Sequence, residues 1–233
     1  MLAQLVRGIA RATPARCEVC HAWPAQPVCE RCQEQFAQAR HRCRTCALAI
    51  PEGADRCGQC VQAPPPLDAC HAAVSYGYPW SGLVGRFKFA GEAGWAAAFS
   101  ALMARQRGVP ELLAGARWLV PMPLSPERLA RRGFNQAHEL ARRLAPGRAD
   151  PRLAVRMRDT ASQADLDHAA RLDNVRNAFA LEPARAGEVR GQAVVLVVDV
   201  MTTGASLFAL ARVFRAAGAS HVGAVVLART EER

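Results

Sequence analysis

The chain has 233 residues, 51% of them hydrophobic, and a formal net charge of +10. This length and apolar content exclude a disordered protein and suffice for one α/β domain plus a small appendage. Its longest apolar runs, 193–198 and 222–228, fall far short of the roughly 20 residues that a membrane-spanning helix needs.

In chain order, 1–13 carries Arg7 and Arg11 in an amphipathic pattern, without the sustained apolar core and small-residue cleavage site of a secretory signal. A short helix in a soluble protein is predicted there. Eight of the nine cysteines then follow as four CxxC pairs: Cys17 and Cys20, Cys29 and Cys32, Cys43 and Cys46, Cys57 and Cys60. Such pairs without a secretory signal predict thiolates kept reduced in the cytoplasm for a metal, rather than disulfides. Two residues between cysteines let both sulfurs of one tight turn face a single ion, and two such turns complete a tetrahedron around zinc. Two structural zinc ions are predicted. Sequential pairing of the turns would give two zinc ribbons, and spacing alone also permits a cross-brace; thiolate quartets hold iron as well. So small a segment cannot fold by burial alone, so each metal should supply on the order of 10 kcal/mol of folding free energy. His21, His41 and His71 read as surface residues beside complete thiolate sets, and Cys70 as a leftover buried thiol.

Pro64, Pro65 and Pro66 favour an extended linker, which divides the chain into a metal module over 1–62, a linker over 63–72 and a second domain over 73–233. In that domain strands are predicted at 73–78, 118–120, 178–181, 194–198 and 221–227, and helices at 81–89, 93–106, 134–144, 171–175 and 205–216, the last ended by Gly218. Continuous apolar runs such as 194–198 belong to parallel strands buried on both sides. The fold class is therefore α/β, a parallel sheet with helices on both faces.

Chemistry concentrates after the strand at 194–198, where Asp199 is followed by Val200, Met201, Thr202, Thr203, Gly204, Ala205 and Ser206. Open α/β sheets bind ligands at the carboxyl ends of their strands, and a glycine-containing turn opening a helix presents amides to an anion. Amides of Thr203, Gly204 and Ala205, with the Thr202 and Ser206 hydroxyls, would hold a phosphate, and Asp199 would accept from a ribose diol. Read without a ligand, the same turn is an ordinary helix start with a threonine cap.

This segment resembles the phosphoribosyl pyrophosphate loop of type I phosphoribosyltransferases. The wider chain resembles the ComF family, including its GntX-like branch: Phe87-Lys88-Phe89-Ala90-Gly91, Val120-Pro121-Met122-Pro123-Leu124, Arg132-Gly133-Phe134-Asn135-Gln136 and Leu227-Ala228-Arg229 match its motifs, as do Gln163, Leu166, Arg171, Asn174 and Phe179. The resemblance implies a double zinc ribbon before a phosphoribosyltransferase-like domain. It also implies that Thr202 to Ser206 cradle a 5′-phosphate, that Asp199 holds ribose and is the catalytic candidate, and that Pro121 and Pro123 border a pyrophosphate site. Arg132, Asn135 and Gln136 would line the same cleft, Lys88 would contact pyrophosphate, and 156–166 would be a flexible region over the site. Magnesium would accompany phosphoribosyl pyrophosphate. The family pattern has two adjacent acids where this chain has Val198 and Asp199, so half of the diol clamp is missing and catalysis is in doubt. The family further implies single-stranded DNA as a partner during DNA uptake in natural transformation, alongside a ComF-type helicase. The 30 basic residues, among which Lys88 is the single lysine, suit such a polyanion, and Trp23, Phe36 or Trp80 could stack on bases. A phosphoribosyltransferase acting on a base and a GntX-like metabolic role are the alternatives.

Overall fold

The computed structural model describes residues 16–23, 25–157 and 178–231. The helices predicted at 1–13 and 171–175, and the motif residues Gln163, Leu166, Arg171 and Asn174, lie outside them. The chain divides into two compact units, Met1–Gln38 and Ala39–Arg233, so the division falls between the two cysteine quartets.

In the smaller unit, Cys17 and Cys20 occupy a tight turn and Cys29 precedes the helix α1, Glu30–Phe36. The larger unit repeats this plan, with Cys43 and Cys46 in a turn and Cys57 preceding α2, Gly58–Gln62. The likeness extends to single bonds. The amides of His21 and Ala47 donate to the carbonyls of Cys17 and Cys43 at 2.9 and 2.8 Å, and among the described residues these two are the non-glycine positions with positive φ, 61° and 54°. A left-handed residue costs about 1–2 kcal/mol, and both quartets place it directly after their second cysteine, where the chain must turn sharply around the sulfurs.

The rest of the larger unit is built on a four-stranded sheet. Its strands are β1 (Ala69–Ser75), β2 (Trp118–Pro121), β5 (Ala193–Met201) and β6 (His221–Arg229), in the order β1-β6-β5-β2, with every pairing parallel. A separate antiparallel pair joins β3 (Ala154–Arg156) to β4 (Phe179–Leu181). Helices α3 (Trp80–Phe89), α4 (Trp95–Ala104) and α5 (Val109–Gly115) separate β1 from β2. After β2 come α6 (Pro126–Arg132) and α7 (Gln136–Leu144), and α8 (Ala205–Ala216) joins β5 to β6.

Side chains alternate across a strand, and here both sides are covered. Val194, Leu196 and Val198 of β5 and Val222, Ala224 and Val226 of β6 pack with Leu207, Leu210 and Phe214 of α8. Their neighbours Val195, Val197, Val225 and Leu227 are equally buried, on the side of α4 and α7, which contact β6 and β5. Each fully buried valine or leucine contributes about 1.5–3 kcal/mol, so β5 and β6 are the natural centre. The same cluster contains Cys43, Cys46, Cys57 and Cys60. The second quartet is part of the core of the α/β sheet.

The first strand runs over 69–75 instead of 73–78, because the Cys70 amide donates to the Arg44 carbonyl at 2.7 Å and the pairing with β6 starts at Ala69. Leu67, just after the proline run, is 5% exposed and joins the core. Trp80 is 1% exposed, so it packs in the interior and cannot stack on a base.

Candidate functional site

At the carboxyl end of β5 the chain bends through Thr202, Thr203 and Gly204 into α8. Gly204 has φ +86°, and a methyl group there would come within 2.5 Å of the Met201 Cε and 2.7 Å of the Phe208 ring. The bend borders a cavity of about 240 Å³. That is below the roughly 300–1,000 Å³ of drug-sized pockets and suits a compact ligand. Its lining includes Lys88, Pro123, Asp199 and the run from Thr202 to Ser206, together with Arg132. The amides of Thr203 and Gly204 have no hydrogen-bond partner among the described residues, while that of Ala205 donates to the Thr203 hydroxyl at 3.4 Å. The Thr203 hydroxyl thus occupies the Ala205 amide, and of the three amides in the bend those of Thr203 and Gly204 remain without an acceptor among the described residues.

Three predicted residues stand behind the cavity. Pro121 is paired in the sheet opposite Val197. Asn135 caps α7 by accepting from the His138 amide at 3.3 Å, and its own amide donates to the Met122 carbonyl at 3.1 Å. Gln136, 1% exposed, accepts from Arg132 at 3.0 Å. Asn135 therefore fixes the turn after β2, and Gln136 aims a guanidinium into the cavity. Arg128 and Arg156 also line it; nothing in the local sequence marked Arg128, and Arg156 entered only as the first residue of the region 156–166 that the resemblance puts over the site. Four basic side chains against the Asp199 carboxylate leave the lining cationic. An anion entering this half-open space gains more from each charge than it would in bulk water.

Lys88 and Asp199 meet at 3.0 Å, each side chain 16% exposed. Burial alone would push the Asp199 carboxyl up, but the Lys88 charge and hydrogen bond, the Val200 amide and Arg132 hold it below the usual carboxylate range. Its folded value being depressed, the pair stabilises the fold at neutral pH, and this contribution disappears as pH falls through the folded value. Lys88→Met is expected to cost about 2 kcal/mol at pH 7, a difference from wild type that shrinks below about pH 4; thermal melts across pH check this. Val198, 5% exposed, borders the same cavity but packs in the core cluster, so this lining holds one carboxylate.

Both cysteine quartets are assembled sequentially, the four sulfurs of each lying within 4.8 Å of one another. Cys17 to Cys32, Cys20 to Cys29 and Cys46 to Cys57 are 3.8, 3.6 and 3.7 Å apart. A disulfide requires about 2.05 Å, whereas a zinc tetrahedron with sulfur at about 2.3 Å has edges of about 3.8 Å. The cross-brace arrangement is excluded, and each quartet could hold zinc. Burial raises the Cys43 thiol, but amides of Cys57, Thr45 and Cys46 and the Thr45 hydroxyl bring it down to about 6, while burial and the neighbouring sulfurs push Cys46 and Cys60 up, so four thiolates at this site need a cation among them. Cys70, 3% exposed, lies in β1 outside both quartets.

Comparison with known proteins agrees with this arrangement. A model of the phosphoribosyl transferase domain matches residues 129–233. The chain is 34% identical over 209 residues to the DNA utilization protein YhgH of Salmonella typhimurium, covering 87% of this chain and 90% of that protein. It is 30% identical over 214 residues to Competence protein F of Haemophilus influenzae, with the same coverage. The chain belongs to the ComF family. This ComF-family chain therefore joins two four-cysteine groups to a phosphoribosyltransferase-type parallel sheet, and its matched domain contains Asp199, the bend and the supporting Asn135 and Gln136. Among the described residues no helix is long and apolar enough to cross a membrane.

Proposed function

We propose that this protein binds a phosphorylated ribose at the bend after β5 and handles single-stranded DNA in the uptake or use of DNA, within the cytoplasm. The observation that carries the reading is the cavity itself: four basic side chains, one carboxylate and an open glycine turn at the carboxyl end of a parallel strand. Thr202 to Ser206 take the phosphate, Asp199 shares its carboxylate between Lys88 and the ribose hydroxyls, and Arg132 and Lys88 face a pyrophosphate accompanied by magnesium. The printed names of the relatives, one for DNA utilization and one for competence, support the DNA part. Phe89 supports it too: the ring is 69% exposed and the Arg132 guanidinium sits 5.2 Å from its centre, leaving an aromatic surface for a base beside a cavity cation. Trp23, 65% exposed in the smaller unit, is a second candidate. A helicase of the same family is the protein partner this reading calls for.

Calorimetry with phosphoribosyl pyrophosphate and magnesium is expected to give one site per chain. Titration with a labelled single-stranded oligonucleotide is expected to give binding that weakens with salt, by about 0.7 logarithmic units per contacted phosphate for each decade. No heat with the first ligand and no binding of the second at low salt would sink the proposal. A phosphoribosyltransferase reading is favoured by the domain match, and pyrophosphate release with a panel of bases tests it. Without the second acid, little stabilisation is available for a positively charged sugar in the transition state, so the expected result is binding without turnover.

A further inference from the structure

Arg229, the last residue of β6, is 0% exposed. Its Nε donates to the Cys46 carbonyl at 3.0 Å, and its Nη1 donates to the Met201 carbonyl at 3.3 Å and to the carbonyls of Thr202 and Thr230. One side chain therefore holds both the second cysteine quartet and the start of the bend. Glu231 adds a further tie on the quartet side, accepting from the Ala49 amide at 3.0 Å and pairing with Arg42 at 2.8 Å.

Two physical points give this contact a function. A peptide unit is planar and trans, so a Thr202 carbonyl drawn towards Arg229 turns the Thr203 N–H the opposite way, away from Arg229, and Thr203 is one of the residues that line the cavity. A guanidinium removed from water is also costly unless its charge is compensated, yet its partners among the described residues are carbonyl oxygens, and its Nη2 has none. Zinc held by four thiolates leaves an excess of negative charge on the group. Cys46 is one of those four, so the loaded quartet supplies the counter-charge that Arg229 otherwise lacks.

We infer that Arg229 is a positioning residue that couples the second cysteine quartet to the bend, so that metal at Cys43, Cys46, Cys57 and Cys60 and ligand at Thr202 to Ser206 each tighten the other. The inference rests on the reading of the bend as a phosphoribose site. Coupling of this kind is reciprocal by linkage, which makes it measurable from either end.

The test uses the full chain carrying Cys20→Ser, so that zinc release reports on the second quartet, with and without Arg229→Lys. Lysine keeps the charge but lacks the fork that reaches Cys46 and Thr202 together. The expected result for Arg229→Lys is unchanged zinc content, affinity for magnesium phosphoribosyl pyrophosphate lower by about tenfold, and faster hydrogen exchange at the Phe208 and Thr230 amides, which donate to the Gly204 and Met201 carbonyls at 2.8 and 3.0 Å, with the middle of β5 still protected. With Arg229 intact, phosphoribosyl pyrophosphate is expected to slow zinc transfer to a chromogenic chelator. Unchanged affinity and exchange in Arg229→Lys would overturn the inference. Should that variant fail to fold, zinc transfer in the parent decides: ligand that binds without slowing transfer overturns the coupling. If the parent binds no phosphoribosyl pyrophosphate at all, the functional reading fails separately, and exchange at the Phe208 and Thr230 amides in Arg229→Lys still decides whether Arg229 holds the bend.

Discussion

Cys46→Ser is expected to prevent stable folding of residues 39–233, whereas Cys20→Ser is expected to leave their thermal transition in place. The contrast follows from where the two quartets lie. Cys43, Cys46, Cys57 and Cys60 belong to the same buried cluster as β5, β6 and α8, while Cys17, Cys20, Cys29 and Cys32 lie in the separate unit Met1–Gln38. A structural zinc site contributes about 10–16 kcal/mol in small peptides, and a whole domain is stable by about 5–15 kcal/mol. Loss of a shared core site is thus comparable with the entire stability of the larger unit. Cys46 is also the residue whose carbonyl receives Arg229. Native mass spectrometry should count two zinc ions in the wild type and one in Cys20→Ser, and near-ultraviolet circular dichroism should show packing lost only in Cys46→Ser. A folded Cys46→Ser chain without its second zinc would refute the shared-core account.

The second large effect is expected at the bend. Gly204→Ala forces a side chain into φ +86° and brings its methyl within 2.8 Å of two Phe208 ring atoms and within 2.5 Å of Met201 Cε. Met201 can swing its terminal methyl aside; the Phe208 ring yields less easily. The left-handed backbone alone costs about 1–2 kcal/mol, which in a domain of this size lowers the melting temperature by about 2–8 °C. Ligand affinity should fall further, by about tenfold or more, because the Thr203 and Gly204 amides must be aimed together at one phosphate. Calorimetry beside a thermal melt separates the two losses. Equal affinity in the variant would show that the bend does not hold the ligand.

Much of this arrangement is legible in the residues. The run from Ala193 to Val198, four of its six residues valine, reads as a strand covered on both sides, and the four CxxC spacings read as paired turns, although the second pair of each quartet spans a helix start, Cys29 to Cys32 at α1 and Cys57 to Cys60 at α2. Asp199 and the bend follow because a strand end, small hydroxyl residues and glycine occur within eight positions. Other parts lack a local signal. The short helices α5 and α6 have too few turns for a clear apolar period, and β1 reaches back over Cys70 and His71 because β6 offers it a partner, which no local pattern encodes. Leu67 lies beside three prolines that read as a linker, although its side chain is in the core. Arg128 looks like any of the many arginines in the chain, and the motif and region that include Arg229 and Arg156 say nothing of what those side chains touch. Their positions depend on contacts between segments distant in sequence, and for Arg229 on the Cys46 carbonyl 183 residues away.

The chemistry of Lys88 has a practical side. It carries the one primary amine among the side chains of this protein, and that amine faces the cavity against Asp199. Reagents that acylate or reductively alkylate amines are ordinarily indiscriminate, but on this surface of arginines they have a single side-chain target. Labelling at that nitrogen becomes a direct gauge of whether the cavity is open, filled or shut.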